Sequence, residues 1–328
     1  MIPKRLALPL IACLLVLAAF LYSDTSSAQS WPTRPVHIIV PYSPGGVADM
    51  LGRLLAQKLS DTFRQPFLVE NRGGAGGIVG SELASKAGPD GYTLLISGLA
   101  SLVEAPALSN NLPYDAVRDF THIALIGGPP MALVVNPSVP AQDLKELIAL
   151  AIARPGTLSY ATAGTGSHGH LVGELFKQLA GIDMTHIPYK GAGPAMADLI
   201  AGHVPVALPT LSTAAIQIRA GKARPLAVST AARLPDHPGI PTFLELGFPD
   251  LVAPSWFSLS GPAKMPQDVV LRLNSEVRRI VQLPDIQGRL RPEGIEAGQL
   301  DSQAFTAFVA AENKRWAPVL RAIRARAG

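Results

Sequence analysis

The sequence predicts an α/β protein, and three observations carry that expectation. From Pro35 onward, short β-branched runs alternate with amphipathic helical stretches. Glycine-rich turns stand where a strand hands over to a helix, as in Pro44-Gly45-Gly46 and Gly164-Thr165-Gly166. The chain also lacks the 20–50-residue period that would mark a repeat array.

The elements follow in order. His37-Ile38-Ile39-Val40 reads as the first strand and Met50 to Leu59 as its helix. Phe67-Leu68-Val69 is a second strand, Gly77 to Ala87 a helix, and Tyr92 to Ser97 a third strand. Ile123 to Ile126 and Leu133 to Val135 are two more, separated by Gly127-Gly128-Pro129-Pro130, which breaks regular structure and suits a domain crossing. A second α/β set begins with the helix Asp143 to Ala153 and the strand Leu158 to Ala161. After a glycine loop and its helix come a strand at Thr185 to Pro188, a helix at Pro194 to Ala201 and a strand at Val204 to Leu208. Ala214 to Arg219 is a short helix and Leu226-Ala227-Val228 another strand. The tail carries helices at Gln267 to Val281 and Ser302 to Ile323, the latter with Pro318 as an expected kink.

The start of the chain reads as an export signal. Lys4 and Arg5 precede an uncharged apolar run, Leu6 to Leu21, and Ser26 and Ala28 fit a cleavage site, so residues 1–28 are taken as a cleaved signal peptide. The run is slightly short for a spanning helix, which leaves an uncleaved anchor as the weaker alternative. Leu10-Ile11-Ala12-Cys13 resembles a lipobox, but the residues after Cys13 stay apolar where a lipoprotein would turn polar. Cys13 is the only cysteine, so cleavage after Ala28 leaves no disulfide, thiolate metal site or cysteine nucleophile. The rest is mildly basic, with Lys and Arg spread along the chain and aromatics not interleaved among them, which argues against a nucleic-acid platform and suits small acidic solutes.

Three glycine loops compete for function. Pro41-Tyr42-Ser43-Pro44-Gly45-Gly46 runs from the first strand into a helix, where free N–H groups favour an anion and where glycine could equally serve a tight turn. Asp49 reads there as a first-turn acid paired with Arg53 at i+4. Arg72 to Gly80 looks dinucleotide-like but misses the spacing, and on pattern alone is a flexible connector. "ATAGTGSHGH", Ala161 to His170, meets the G-x-G-x-x-G spacing, yet Tyr189-Lys190-Gly191 stands where a dinucleotide site needs an acid. A smaller anion than a dinucleotide remains, and no cofactor is expected. Ser167 and His168 lack a nucleophile elbow, and His168 and His170 lack partners at metal-ligand spacing.

At this point the chain resembles the Bug family, the periplasmic solute receptors of tripartite tricarboxylate transporters. The resemblance runs from about Trp31 to the C-terminus and is carried in order by "WPTRPVHIIVPYSPGGVADMLGRLLAQKL", "VENRGGAGGIVGSELASKAGPDGYTLL" and "NLPYDAVRDFTHIALI", then "SYATAGTGSHGHLVGELFKQLAGIDMTHIPYKGAGPAMADLIAGHV" and "SWFSLSGPAKMP". It implies a type II periplasmic-binding-protein fold, two α/β lobes joined by two crossing strands. Lobe 1 would hold residues 31–128 plus 228–328 and lobe 2 residues 129–227, with the hinge at Gly127–Pro130.

The resemblance also implies a ligand carboxylate held largely by backbone N–H groups of two opposed loops. By position, Tyr42, Ser43, Gly45 and Gly46 come from the first loop, Ser97 and Gly98 from the turn after the third strand, and Thr165, Gly166 and Ser167 from the second lobe. His168 is added as a contact sensitive to pH, and Ser212 as a wall residue if Pro209 to Ser212 lines the cleft. Departures from the family pattern include Pro205 and Pro209 in "HVPVALPTLS", and Glu104 in "GLASLVEAPAL". The expected ligand is therefore a small organic carboxylate or amino acid rather than assured citrate. The expected partners are membrane permease subunits, the expected state a monomer and the expected place the periplasm. An exported enzyme or ligand sensor on the same fold is the alternative.

Overall fold

The computed structural model describes residues 31–109 and 111–327. The signal segment, Cys13 and the cleavage site after Ala28 lie outside the described residues.

The chain first builds β1 (Val36–Val40), α1 (Val47–Phe63), β2 (Phe67–Asn71), α2 (Ile78–Ser85) and β3 (Thr93–Gly98). A wide turn at Ala100–Glu104 leads into α3 (Ala105–Leu108), and β4 (Phe120–Gly127) follows. β1 is buried along nearly its whole length, which is what the continuous run VHIIV requires of a central strand. α1 buries Ala48, Leu51, Leu55, Ala56 and Leu59, one helical stripe, and ends where Arg64 takes a left-handed conformation.

Past the Gly127–Pro130 crossing come β5 (Ala132–Val135), α4 (Leu144–Ala153) and β6 (Ser159–Thr162). α4 starts where the Asp143 carboxylate accepts the Glu146 N–H at 2.8 Å. α5 (His168–Ala180), β7 (Thr185–Pro188), α6 (Ala192–Ala201), β8 (Val206–Ala207), α7 (Leu211–Arg219) and β9 (Arg224–Val228) complete this set. The chain then returns through β10 (Phe257–Pro262), α8 (Gln267–Ile280), α9 (Pro284–Leu290) and α10 (Ser302–Ala327), with Pro318 inside the last helix.

Two five-stranded sheets result, in the orders β2-β1-β3-β10-β4 and β7-β6-β8-β5-β9. In the first, β1 runs parallel to β2 and β3, while β10 is antiparallel to both β3 and β4. In the second, β6 is parallel to β7 and β8, and β5 is antiparallel to β8 and β9. This is the two-lobed α/β architecture expected of the type II periplasmic-binding-protein fold.

Two local expectations need correction. The strand expected over Val204 to Leu208 shrinks to Val206–Ala207, because Pro205 and Pro209 have no N–H to donate to a ladder. Their carbonyls still accept, from Asn136 N–H and Ala132 N–H, each at 2.9 Å. β10 was not anticipated as a strand. Its serines break the apolar pattern, yet Ser258 and Ser260 are buried and meet Ser97 Oγ, each at 2.7 Å. A hydroxyl cluster inside the sheet satisfies itself and needs no apolar side chain.

The crossing is pinned by tightly approached backbone from the returning chain. A Cβ on Gly128 would stand 2.3 Å from the Ser255 carbonyl, and one on Gly127, at φ +114, 2.1 Å from the Glu296 carbonyl. α10 reaches across the divide, packing on β4 and on α5 of the other lobe. Glu312 anchors it: its Oε2 accepts from Trp256 Nε1 at 3.2 Å and from Trp316 Nε1 at 3.1 Å, while Arg315 donates to Oε1. A buried donor left unpaired costs about 1–3 kcal/mol, so Glu312→Ala should lower the unfolding free energy in urea by at least about 2 kcal/mol. Glu312→Gln, which keeps an acceptor oxygen, should lose less, and equal losses in the two variants would refute the anchoring role.

Candidate ligand-binding site

A cavity of about 470 Å³ opens between the lobes. From lobe 1 it is lined by Tyr42 after β1, by Ala75, Gly76 and Ile78, and by Ala100, Glu104, Ala105, Leu108 and Ser109. Lobe 2 contributes the backbone turn Ala163 to Ser167, between β6 and α5.

The lobe 1 wall is made by two glycine loops held together. Arg72 N–H donates to the Val40 carbonyl at 2.8 Å, and a Cβ on Gly80 would stand 2.8 Å from Pro41 Cα. Gly77, at φ +99, leaves room for the Tyr42 ring, which a Cβ there would meet at 3.2 Å. The stretch expected to be a flexible connector is thus packed against the first loop and supplies part of the wall. Its spacing failed as a phosphate motif because its glycines serve backbone approach instead.

The lobe 2 turn is ordered by its own hydrogen bonds. Gly164 N–H donates to Thr162 Oγ1 at 3.2 Å, Ser167 Oγ donates to the Gly164 carbonyl at 2.7 Å, and Gly166 N–H donates to His170 Nδ1 at 3.0 Å. The last bond requires an unprotonated Nδ1, and the His170 ring is itself stacked on His186 at 3.7 Å. Among the described residues, the N–H groups of Thr165, His168 and Gly169 have no protein acceptor; of the three, Thr165 lines the cavity, while Gly169 is packed on the Leu208 carbonyl. Gly166 also touches the opposite lobe: a Cβ there would lie 2.4 Å from Leu108 Cδ1.

At the start of α1 the same physics has a different outcome. Asp49 Oδ2 accepts from Gly45 N–H at 3.0 Å and from Arg53 Nε at 3.1 Å, and Asn71 Nδ2 donates to Oδ1 at 2.9 Å. The Arg53 guanidinium, aided by those N–H donors, holds the Asp49 carboxyl down at about 2. The helix N-terminus of lobe 1 therefore already carries an anion, the protein's own.

The expected contact residues divide accordingly. Tyr42, Thr165, Gly166 and Ser167 line this cavity together. Ser43, Gly45 and Gly46 are exposed and outside its lining, with open space where a Cβ on either glycine would be. Ser97 and Gly98 are buried in the sheet, Ser97 in the hydroxyl cluster and Gly98 against the Trp256 carbonyl. Ser212 stands by Thr210 at the start of α7, away from the cavity.

His168 lies behind the wall. Its Nε2 is 2.7 Å from the Ala253 carbonyl, and its ring meets Trp316 edge-on at 5.6 Å. Burial pushes this imidazole down to about 4, so it is neutral near pH 7. Its Nδ1 is 3.8 Å from Glu104 Oε1, and neither atom has a hydrogen-bond partner. Burial pushes the Glu104 carboxyl up to about 8. The Tyr42 hydroxyl is raised as well, by burial first and then by Glu104. The sequence marks Glu104 only as a departure from the family pattern in "GLASLVEAPAL"; its place in the wall was the missing part.

Comparison with known proteins fits this geometry. Residues 51–325 match the model of the TctC family, described as the tripartite tricarboxylate transporter family receptor. The chain belongs to that family. Protein BugT of Bordetella pertussis is 36% identical over 296 residues, covering 90% of this chain and 91% of its own. Among solved structures, the R. palustris protein Rpa4515 with adipate is 36% identical with a TM-score of 0.77, covering 89% of this chain and 98% of that one. The periplasmic binding protein BugD is 31% identical with a TM-score of 0.72, over 89% and 98% of the two chains. The TctC receptors are solute-binding proteins of a transporter, not enzymes, and this receptor shares their two-lobed fold. Among the described residues no helix is long and apolar enough to cross a membrane.

The two acids give pH responses of opposite sign. Folded Glu104 holds its proton more tightly than the unfolded chain does, so the stability it withholds grows from about pH 4.5 to about 8 and then levels off. Thermal unfolding of Glu104→Gln should exceed the wild type by a margin that widens over that window; a constant margin would contradict the burial argument. Folded Asp49 holds its proton less tightly, so its contribution is complete above about pH 3.8 and is lost as pH falls through about 2. Asp49→Asn should therefore be less stable than wild type near neutral pH, with the gap closing in acid.

Proposed function

We propose that this receptor captures a small organic carboxylate in the cavity between its lobes and hands it to the membrane permease subunits of its transporter. The observation that carries the reading is the cavity between the lobes, lined by the turn that leads into α5, where the Thr165 N–H has no protein acceptor. Tyr42, Ser167 and the Ala75–Ile78 wall complete the contact surface, with Gly166 permitting close approach. In this reading α1 supplies no ligand amide, because its first residues do not line the cavity and Asp49 brings a negative charge to that end; Gly45, Gly46 and Ser43 act through the loop's conformation, Ser97, Gly98 and His168 support the wall, and Ser212 has no direct part.

The chain would be exported by cleavage after Ala28 and work in the periplasm as a monomer, with lobe 1 over residues 31–128 and 228–328 and lobe 2 over 129–227. Support comes from the export signal in the sequence, from the periplasmic relative BugD, and from Rpa4515, which is solved with adipate.

A thermal-shift screen of carboxylates tests the reading. Ligand at 100-fold its Kd should add about 2.7 kcal/mol of stability. Ser167→Asp places a second resident carboxylate at the cap of α5, as Asp49 does at α1. The variant should fold normally and lose the carboxylate response by about a hundredfold in affinity or more. An unchanged response in Ser167→Asp would move the site elsewhere.

A further inference from the structure

The cavity contains an acid and no base. Glu104 lines it and is 7% exposed. Its Oε1 is fully enclosed and unpartnered, as is the nearby His168 Nδ1. The titratable groups that face it are His168 from α5 and Tyr42 from the β1 loop; Arg315 on α10 acts on His168 from behind, and no lysine or arginine lines the space. A buried carboxyl without a donor is destabilising, and a bound group that supplies one removes the deficit.

The charge of the guest then decides. A dicarboxylate brings two negative charges to a space with one open helix N-terminus, no cation and an acid in its wall. Desolvating the second charge has nothing to offset it. An aminocarboxylate brings a carboxylate for the Thr165 and α5 amides and an ammonium for Glu104, so both buried ends are satisfied. Building on the receptor reading above, we propose that Glu104 selects carboxylates that also carry an ammonium group, so that this receptor prefers aminocarboxylates to dicarboxylates of matched length. It would differ in this from the relative solved with adipate. On binding, the Glu104 carboxyl transfers its proton to solvent and the resulting carboxylate accepts from the ligand N–H groups.

Isothermal titration calorimetry of the full mature chain tests this with γ-aminobutyrate against succinate, δ-aminovalerate against glutarate, and β-alanine against malonate. In the wild type the best amino acid should bind at least about tenfold more tightly than any of the dicarboxylates, the worth of one charge-assisted hydrogen bond. Titrations in buffers of different ionisation enthalpy at neutral pH should show net proton release. Glu104→Gln should abolish the preference and the proton release. Dicarboxylates that bind the wild type as tightly as the amino acids overturn the selectivity and leave the receptor reading standing. A preference that survives in Glu104→Gln also overturns it. If neither series binds the wild type, both readings fall.

Discussion

The cavity depends on the contact between Gly166 and Leu108 across the lobes. Gly166 stands at φ +76, where a Cβ would lie 2.4 Å from Leu108 Cδ1, so the lobe 2 turn lies directly on the helix that follows Glu104. This approach brings the turn before α5 against the lobe 1 wall at one side of the cavity. Internal hydrogen bonds from Thr162, His170 and Ser167 hold the turn in shape, so its remaining amides are aimed before any ligand arrives.

The two lobes treat the same structural opportunity differently. Each has a helix starting just beyond a strand and a glycine turn, and each helix start attracts negative charge. In lobe 1 Asp49 satisfies it permanently and ties Gly45, Arg53 and Asn71 into one network. In lobe 2 no acid stands in the first turn of α5, and Ser167 turns its hydroxyl back to Gly164.

Much of the fold was legible because buried parallel strands such as VHIIV and amphipathic stripes such as that of α1 leave strong periodic marks. β10 was not, since its buried serines find hydroxyl partners only through pairing with a strand some 160 residues away. The lining of the cavity was legible at Tyr42 and at Thr165 to Ser167, where a strand-to-helix turn announces itself locally. The Gly45 hydrogen bond was not, because it depends on where the Asp49 side chain folds. The wall role of Ala75, Gly76 and Glu104 arises from long-range packing against Tyr42 and His168, which no local pattern encodes.

The antiparallel strand in the middle of the first sheet has a consequence for assembly. β3 and β4 are neighbours in sequence but are joined through β10, which the chain reaches only after passing through the whole second sheet. The second sheet is drawn from one continuous stretch and can close on its own, whereas the first waits for a late segment to fill the gap at its centre. Such non-local pairing is intrinsically slow. A chain emerging N-terminus first would therefore complete its lobes in the reverse of the order in which they begin, with unfilled strand edges exposed in the interval.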